Sequence, residues 1–250
     1  MKIYAISDLH LSINSDKPMN IFGPSWDNYL DTIKADWSKK VKKNDVVLIP
    51  GDISWAMKLD DAKPDLDYIS DLGLGTKIII RGNHDYWWNT ITKMRVFLKE
   101  KKFHNIDFIY NQGYVLENYI IAGTRGWNSL EEGQDEKVFN RELIRLETSI
   151  KDGLEKAGMG SNLEQNDSIE MSEISKELIV FMHYPPISNS KIFNKEEALF
   201  VEIMKKYNVK KCFYGHLHGA SIKDAFEGIY EGIEFKLVSA DGLNFKLYKI

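Results

Sequence analysis

Ile3-Tyr4-Ala5-Ile6-Ser7-Asp8-Leu9-His10 opens the chain as an apolar run that ends on a carboxylate and an imidazole. The same grammar returns along the sequence. Ile78-Ile79-Ile80-Arg81-Gly82 leads into Asn83-His84-Asp85, Leu178 to Met182 leads into His183, and Cys212-Phe213-Tyr214-Gly215 leads into His216-Leu217-His218. A fifth run, Val46-Val47-Leu48-Ile49-Pro50-Gly51, delivers Asp52 without a histidine. Five of the chain's six histidines fall in these segments. Carboxylate, imidazole and amide side chains at the ends of five strand-like runs point to one metal site. That mixture suits Mn, Fe or Zn better than Ca or Mg.

Between the runs the apolar period changes. Trp26, Leu30, Ile33, Trp37 and Val41 recur at steps of three and four, which predicts a helix over 24–43. Helices are likewise expected at 60–72, 88–101, 131–156 and 194–207, the clearest being 131–156 with Phe139, Leu143, Leu146, Ile150 and Leu154 on one stripe. Strands are expected at 2–7, 46–50, 77–81, 107–111, 113–117, 119–123, 178–183, 211–215, 226–230, 233–239 and 244–249. Residues 158–176 are polar and poorly patterned, so a loop is expected there. Strands alternating with helices and followed by an antiparallel tail predict an α/β fold with mixed sheets. In open sheets of this class ligands bind beyond the carboxyl ends of strands, where all five segments place their polar residues.

The 250 residues suffice for one large domain, taken here as 1–250 with an acidic helix-and-loop insertion at about 128–177. Net charge is −4, unevenly spread: residues 128–177 hold 13 Asp/Glu and 6 Lys/Arg, a local −7, leaving +3 elsewhere. Neither part has the strong positive charge of a dedicated nucleic-acid binder. The single Cys212 excludes an internal disulfide and, within an apolar run, reads as an inert buried thiol. No apolar stretch approaches the roughly 18–20 residues that span a bilayer. Asp8 and His10 interrupt the first run too early for a signal peptide, so a cytoplasmic location is expected.

Asp8-Leu9-His10, Gly51-Asp52, Gly82-Asn83-His84-Asp85, His183 and Gly215-His216-Leu217-His218 together resemble the calcineurin-like metallophosphoesterase superfamily, in its motif order and across residues 8–218. A lone Asp-x-His carries little weight, whereas all five motifs in order are specific. The resemblance implies two mixed sheets packed face to face and flanked by helices, a four-layer α/β/β/α sandwich with a two-metal centre at the carboxyl ends of strands. It implies one metal on Asp8, His10, Asp52 and His218, and another on Asp52, Asn83, His183 and His216. A bridging carboxylate such as Asp52 holds two cations roughly 3.5–4 Å apart, the spacing that clamps an in-line displacement. Two divalent ions outweigh the charges of Asp8 and Asp52, so the excess attracts phosphate and acidifies a bridging water, the expected nucleophile. The resemblance makes His84 the residue that serves the leaving oxygen, with Asp85 expected to orient its ring.

The expected activity is therefore hydrolysis of a phosphate mono- or diester, with a small molecule or nucleotide as substrate. Phosphoprotein substrates fit less well, because the sequence around Asp52 reads Gly-Asp-Ile-Ser-Trp. A nuclease is the enzymatic alternative and a non-catalytic scaffold the other, the first opposed by the modest +3 charge and the second by an intact set of ligand positions. His104 lies outside every motif and reads as an ordinary surface residue. Arg81 and Arg125 are either phosphate contacts or structural ion pairs, the latter favoured for Arg81. Trp55, Trp87, Trp88 and Trp127 follow motif strands and are either cleft walls or core. The 131–156 helix is read as a packed or dimerising element, and its position before the loop allows a lid.

Overall fold

Val46-Val47-Leu48-Ile49 is apolar on both faces, the mark of a strand inside a parallel sheet covered on both sides, and all four residues are buried. A computed structural model describes residues 1–15, 17–127, 136–159, 176–188 and 195–250. They form two compact units. The first comprises Met1–Phe108, Gly215–Ile222 and Val238–Ile250, and the second Ile109–Tyr214 and Lys223–Leu237.

The first unit is built on β1 (Ile3–Ala5), α1 (Tyr29–Lys40), β2 (Val46–Ile49), α2 (Lys63–Asp71), β3 (Thr76–Ile79), α3 (Ile91–Glu100) and β4 (Ile106–Phe108). In the second come β5 (Tyr114–Val115), β6 (Tyr119–Thr124), α4 (Glu136–Lys156), β7 (Glu177–Met182), α5 (Lys195–Lys206), β8 (Lys211–Tyr214), β9 (Gly228–Tyr230) and β10 (Ile233–Leu237), and the chain ends in the first unit with β11 (Tyr248–Lys249). Two mixed sheets result. The first runs β11-β1-β2-β3-β4, with β1 to β4 parallel and β11 antiparallel. The second runs β5-β6-β7-β8-β10-β9, with β6, β7, β8 and β10 parallel and antiparallel strands at both edges.

Helices cover these sheets through the stripes the sequence sets out. Tyr29, Ile33 and Trp37 of α1 are buried, as are Leu66 and Ile69 of α2 and Met94, Phe97 and Leu98 of α3. They join Ile6, Val47, Ile49, Trp87 and Phe108 in one apolar cluster. In the second unit Phe139, Leu146, Ile150 and Leu154 form the buried stripe of α4.

The helix expected over 24–43 is shorter. Pro24–Trp26 makes a single 3-10 turn, and Asn28 takes φ 55°, a left-handed conformation that stops helix from propagating across it. Residues 128–135 of the acidic segment at 128–177, and residues 160–175 of the loop expected at 158–176, fall outside the described residues; between them α4 occupies Glu136–Lys156. Among the described residues no helix is long and apolar enough to cross a membrane.

Lys77 of β3 is fully buried. Its Nζ donates to the carbonyl of Ser70 at 3.2 Å and to that of Gly73, at the end of α2. Cations are favoured where a helix leaves its last carbonyls unsatisfied. Burial nevertheless pushes the Lys77 ammonium down to about 8, against the pull of Asp71. Below that pH both folded and unfolded chains hold the proton. Between about 8 and the ordinary 10.5 the unfolded chain binds a proton that the native state has released, so stability rises with pH in that window. Lys77→Met is expected to abolish this component, measured as urea unfolding of both proteins below pH 8 and near pH 10. An equal rise in the variant would count against it.

Candidate metal centre

Four of the residues expected to hold metal sit in left-handed backbone: Asp8 at φ 59°, His10 at 45°, Asp52 at 50° and His216 at 72°. This region costs a non-glycine residue about 1–2 kcal/mol, and Asp and His are among those that tolerate it best. It recurs here because each chain turns sharply as it leaves its strand. Asp8 N donates to Gly51 O, His10 N to Asp52 O and Leu11 N to Ile53 O, so the turns after β1 and β2 are laced to each other. Buried Asp65 of α2 fastens the same turns, accepting from Ile13 N at 2.9 Å and from Ser54 Oγ.

These turns converge their side chains. Asp8, His10 and His218 each offer a ligand atom, and the three atoms lie within 4.8 Å of one another. The Nε2 atoms of His10 and His218 are 3.1 Å apart, and His218 Nε2 is 3.2 Å from Asp8 Oδ1. A carboxylate oxygen of Asp52 comes within 4.8 Å of one of Asp8, and Asp52 Oδ2 is 3.8 Å from His10 Nε2. His216 Nδ1 meets Asn83 Oδ1 at 3.0 Å. The first unit thus gathers six of the seven expected ligands. The seventh, His183, is buried at the end of β7 in the second unit. There His183 N and Tyr184 N both donate to the carbonyl of Arg125, at 3.2 and 2.9 Å.

Two carboxylates this close and this deep repel. Burial, then the charge of Asp8, pushes Asp52 up to about 8, although the backbone N–H of His84 donates to its Oδ1 at 2.8 Å. Asp8 accepts from His216 N at 3.1 and 3.0 Å, from Ser239 Oγ at 3.2 Å and from Ser7 Oγ. Burial opposes charge on His218, yet Asp8 and Asp241 outweigh it and lift that imidazole to about 10. Carboxylate and imidazole acceptors facing one another are what a cation pulls together, so this donor set fits divalent metal.

Asp241 has no place in the motifs. Its Oδ1 lies 3.0 Å from His218 Nδ1 and its Oδ2 accepts from Gly219 N at 2.8 Å. A carboxylate behind a ligating imidazole fixes ring orientation and leaves the other nitrogen for metal. The signal available in the sequence was a lone Asp shortly after an apolar run, Leu237 to Ala240.

Asp85 differs from expectation. Its carboxylate accepts from Ile53 N, Ser54 N, Gly82 N and Trp87 Nε1, at 2.9, 3.2, 2.8 and 2.9 Å. Three of these donors meet Oδ1 and one meets Oδ2, and none of them is the His84 ring, so Asp85 clamps backbone turns. Burial first, and Asp52 second, raise Asp85 to about 6 despite these donors.

The other candidates separate cleanly. Trp87 and Trp88 are core, whereas the Trp55 ring stacks on His10 at 4.9 Å and lies 4.6 Å from His84. Arg125 lies 3.9 Å from buried Glu142 and 4.8 Å from the centre of the Trp127 ring. Among the described residues Arg81 makes no ion pair, contrary to the reading favoured for it. Cys212 is buried, which pushes its thiol well above the usual range, and His104 is exposed.

A family model for calcineurin-like phosphoesterases matches residues 1–220. No curated protein matches the chain. A protein of unknown function from Aquifex aeolicus is 17% identical over 99% of this chain and 95% of its own, with a TM-score of 0.51. A crystal structure from Thermus thermophilus is 13% identical over 99% of this chain and 97% of its own, with a TM-score of 0.54. At such identities those two likenesses speak for shared fold alone. The family model spans every motif from Asp8 to His218, and this chain belongs to the calcineurin-like phosphoesterases.

Proposed function

We propose that the protein hydrolyses phosphate mono- or diesters with the help of two divalent metal ions. The observation that carries this reading is the cluster of Asp8, His10 and His218, with ligand atoms within 4.8 Å of one another and Asp52 beside them. Motif order assigns Asp8, His10, Asp52 and His218 to one ion, and Asp52, Asn83, His183 and His216 to the other. Bound there, Mn, Fe or Zn would set positive charge against the phosphoryl oxygens and acidify a water for in-line attack.

The chain's own groups do the rest. Asp52 is suited to serve both ions because its two oxygens point to different neighbours: Oδ1 takes the His84 amide and Oδ2 faces His10. That hydrogen bond ties the backbone of His84 to the carboxylate that would serve both ions. Its ring, 5.7 Å from that of His10, is the group we assign to proton delivery at the leaving oxygen. Asp85 holds the turn that carries it, and Asp241 holds His218. A small phosphate ester or nucleotide is the substrate class this reading favours, in keeping with the modest charge of the chain.

His84→Asn is expected to keep its metal and lose about 10²–10⁴-fold in kcat. Metal analysis beside turnover of generic mono- and diesters checks this, and full activity would remove His84 from the mechanism. Asp52→Asn is expected to lose metal instead, and a variant that retains two equivalents would refute the bridging role. Asp241→Asn is expected to weaken metal affinity by about 10–100-fold, as read by calorimetric titration; unchanged affinity would leave the contact with His218 without consequence for binding.

A further inference from the structure

The geometry points to a subsite for an aromatic leaving group, formed by Trp55 and Tyr86, both of which meet the His84 ring. This rests on the phosphoesterase reading above and adds to it the substrate class. If His84 serves the leaving oxygen, whatever hangs from that oxygen lies against the side chains around the His84 ring. Those side chains are aromatic. The Trp55 ring centre is 4.6 Å from that of His84, and the Tyr86 ring centre is 6.2 Å away at a near-perpendicular angle of 79°.

Neither ring is placed loosely. Asp85 and Trp87, the neighbours of Tyr86, are both buried and are joined by the bond from Trp87 Nε1 to Asp85 Oδ1. Tyr86 N donates to His84 O at 2.8 Å. The turn therefore fixes an outward phenol, 50% exposed, one residue from the core. Trp55 is held by its N–H to Leu11 O at 3.0 Å, by Nε1 to Met19 Sδ at 3.3 Å and by its stack on His10. Apolar surface continues on the same loops: Met57 lies two residues beyond Trp55, and Ile21 and Phe22 follow Met19, exposed by 63%, 72% and 63%. Contiguous exposed apolar surface marks a binding site, and these three side chains neighbour in sequence Trp55 itself or Met19, which holds its ring. His10 stacks on the Trp55 ring and Lys17 Nζ lies 4.4 Å from its centre, so the Tyr86 ring and the edge of Trp55 are the surfaces offered to a flat ring, and aromatic pairs gain from stacked or edge-on contact at centroid separations of about 4.5–7 Å.

Benzylphosphonate and ethylphosphonate test this without turnover. Each carries a methylene in place of the leaving oxygen, and only the first carries a ring. Calorimetric titration into the Mn-loaded protein is expected to show benzylphosphonate binding about tenfold tighter. Tyr86→Ala and Trp55→Ala should bring that ratio towards one, with metal content measured alongside because Trp55 touches His10. Tyr86→Phe should keep it. Equal binding of the two by the wild-type protein, or an undiminished ratio in both alanine variants, overturns the subsite and leaves the phosphoesterase reading standing. Failure of the metal-loaded protein to bind either phosphonate overturns that reading and the subsite with it.

Discussion

Asp8 and Asp52, two buried carboxylates with oxygens within 4.8 Å of each other, set the terms for the whole first unit. Two such charges repel by about 3 kcal/mol even at the effective dielectric of about 20 that suits protein sites. The fold answers with aimed donors. Amides of His84 and His216 and hydroxyls of Ser7 and Ser239 all point at one or other carboxylate. These donors offset the repulsion only in part, as the raised Asp52 shows. A cation would relieve the remainder. The centre is thus preorganised for positive charge, and folding has met that cost before any ligand arrives.

Crowding on this scale dictates backbone as well as side chains. A Cβ on Gly82 would collide with the carboxylate of Asp52, and one on Gly215 with Ser7 Oγ and Asp8 Oδ2. Neither glycine has positive φ, so conformational freedom is not what requires it. The requirement is room. Each lies one residue ahead of a metal-centre side chain, Asn83 or His216, and lets that strand end approach a carboxylate from a neighbouring turn. The motif glycines and the motif aspartates are therefore one structural feature, seen twice along the sequence.

Much of this was legible before any coordinates. Apolar runs ending on Asp8, Asp52, Asn83 and His216 mark strands because a buried parallel strand has no polar face to show, and β1, β2, β3 and β8 overlap them. Helical stripes placed Trp37 and Leu146 in the interior, where they are. What escaped has a common cause: it depends on contacts between segments distant in sequence. Asp241 acquires its role by meeting His218, 23 residues away. Asp85 looks like a partner for adjacent His84, yet spends its oxygens on Ile53 and Ser54, more than 30 positions earlier. Helix α1 starts late because Asn28 takes a left-handed conformation that periodicity does not register. Tyr86 stands out only once Asp85 and Trp87 are seen to face inward.

Gly82-Asn83-His84-Asp85 shows why spacing, more than composition, carries the site. Four consecutive residues perform four separate tasks. Gly82 leaves space for Asp52, and Asn83 sends its amide oxygen to His216. His84 gives its backbone N–H to Asp52. Asp85 turns back to accept from Gly82 N, closing the loop on itself, and reaches across to the turn that follows Asp52. Shifting the register by one residue would put a side chain into the Asp52 carboxylate and an imidazole where the Asn83 amide oxygen stands. No residue in the loop can exchange places with its neighbour, because each meets its partner through a different group. A lone histidine beside a strand has no such constraints, which is why five motifs in order identify a metal centre that no one of them could.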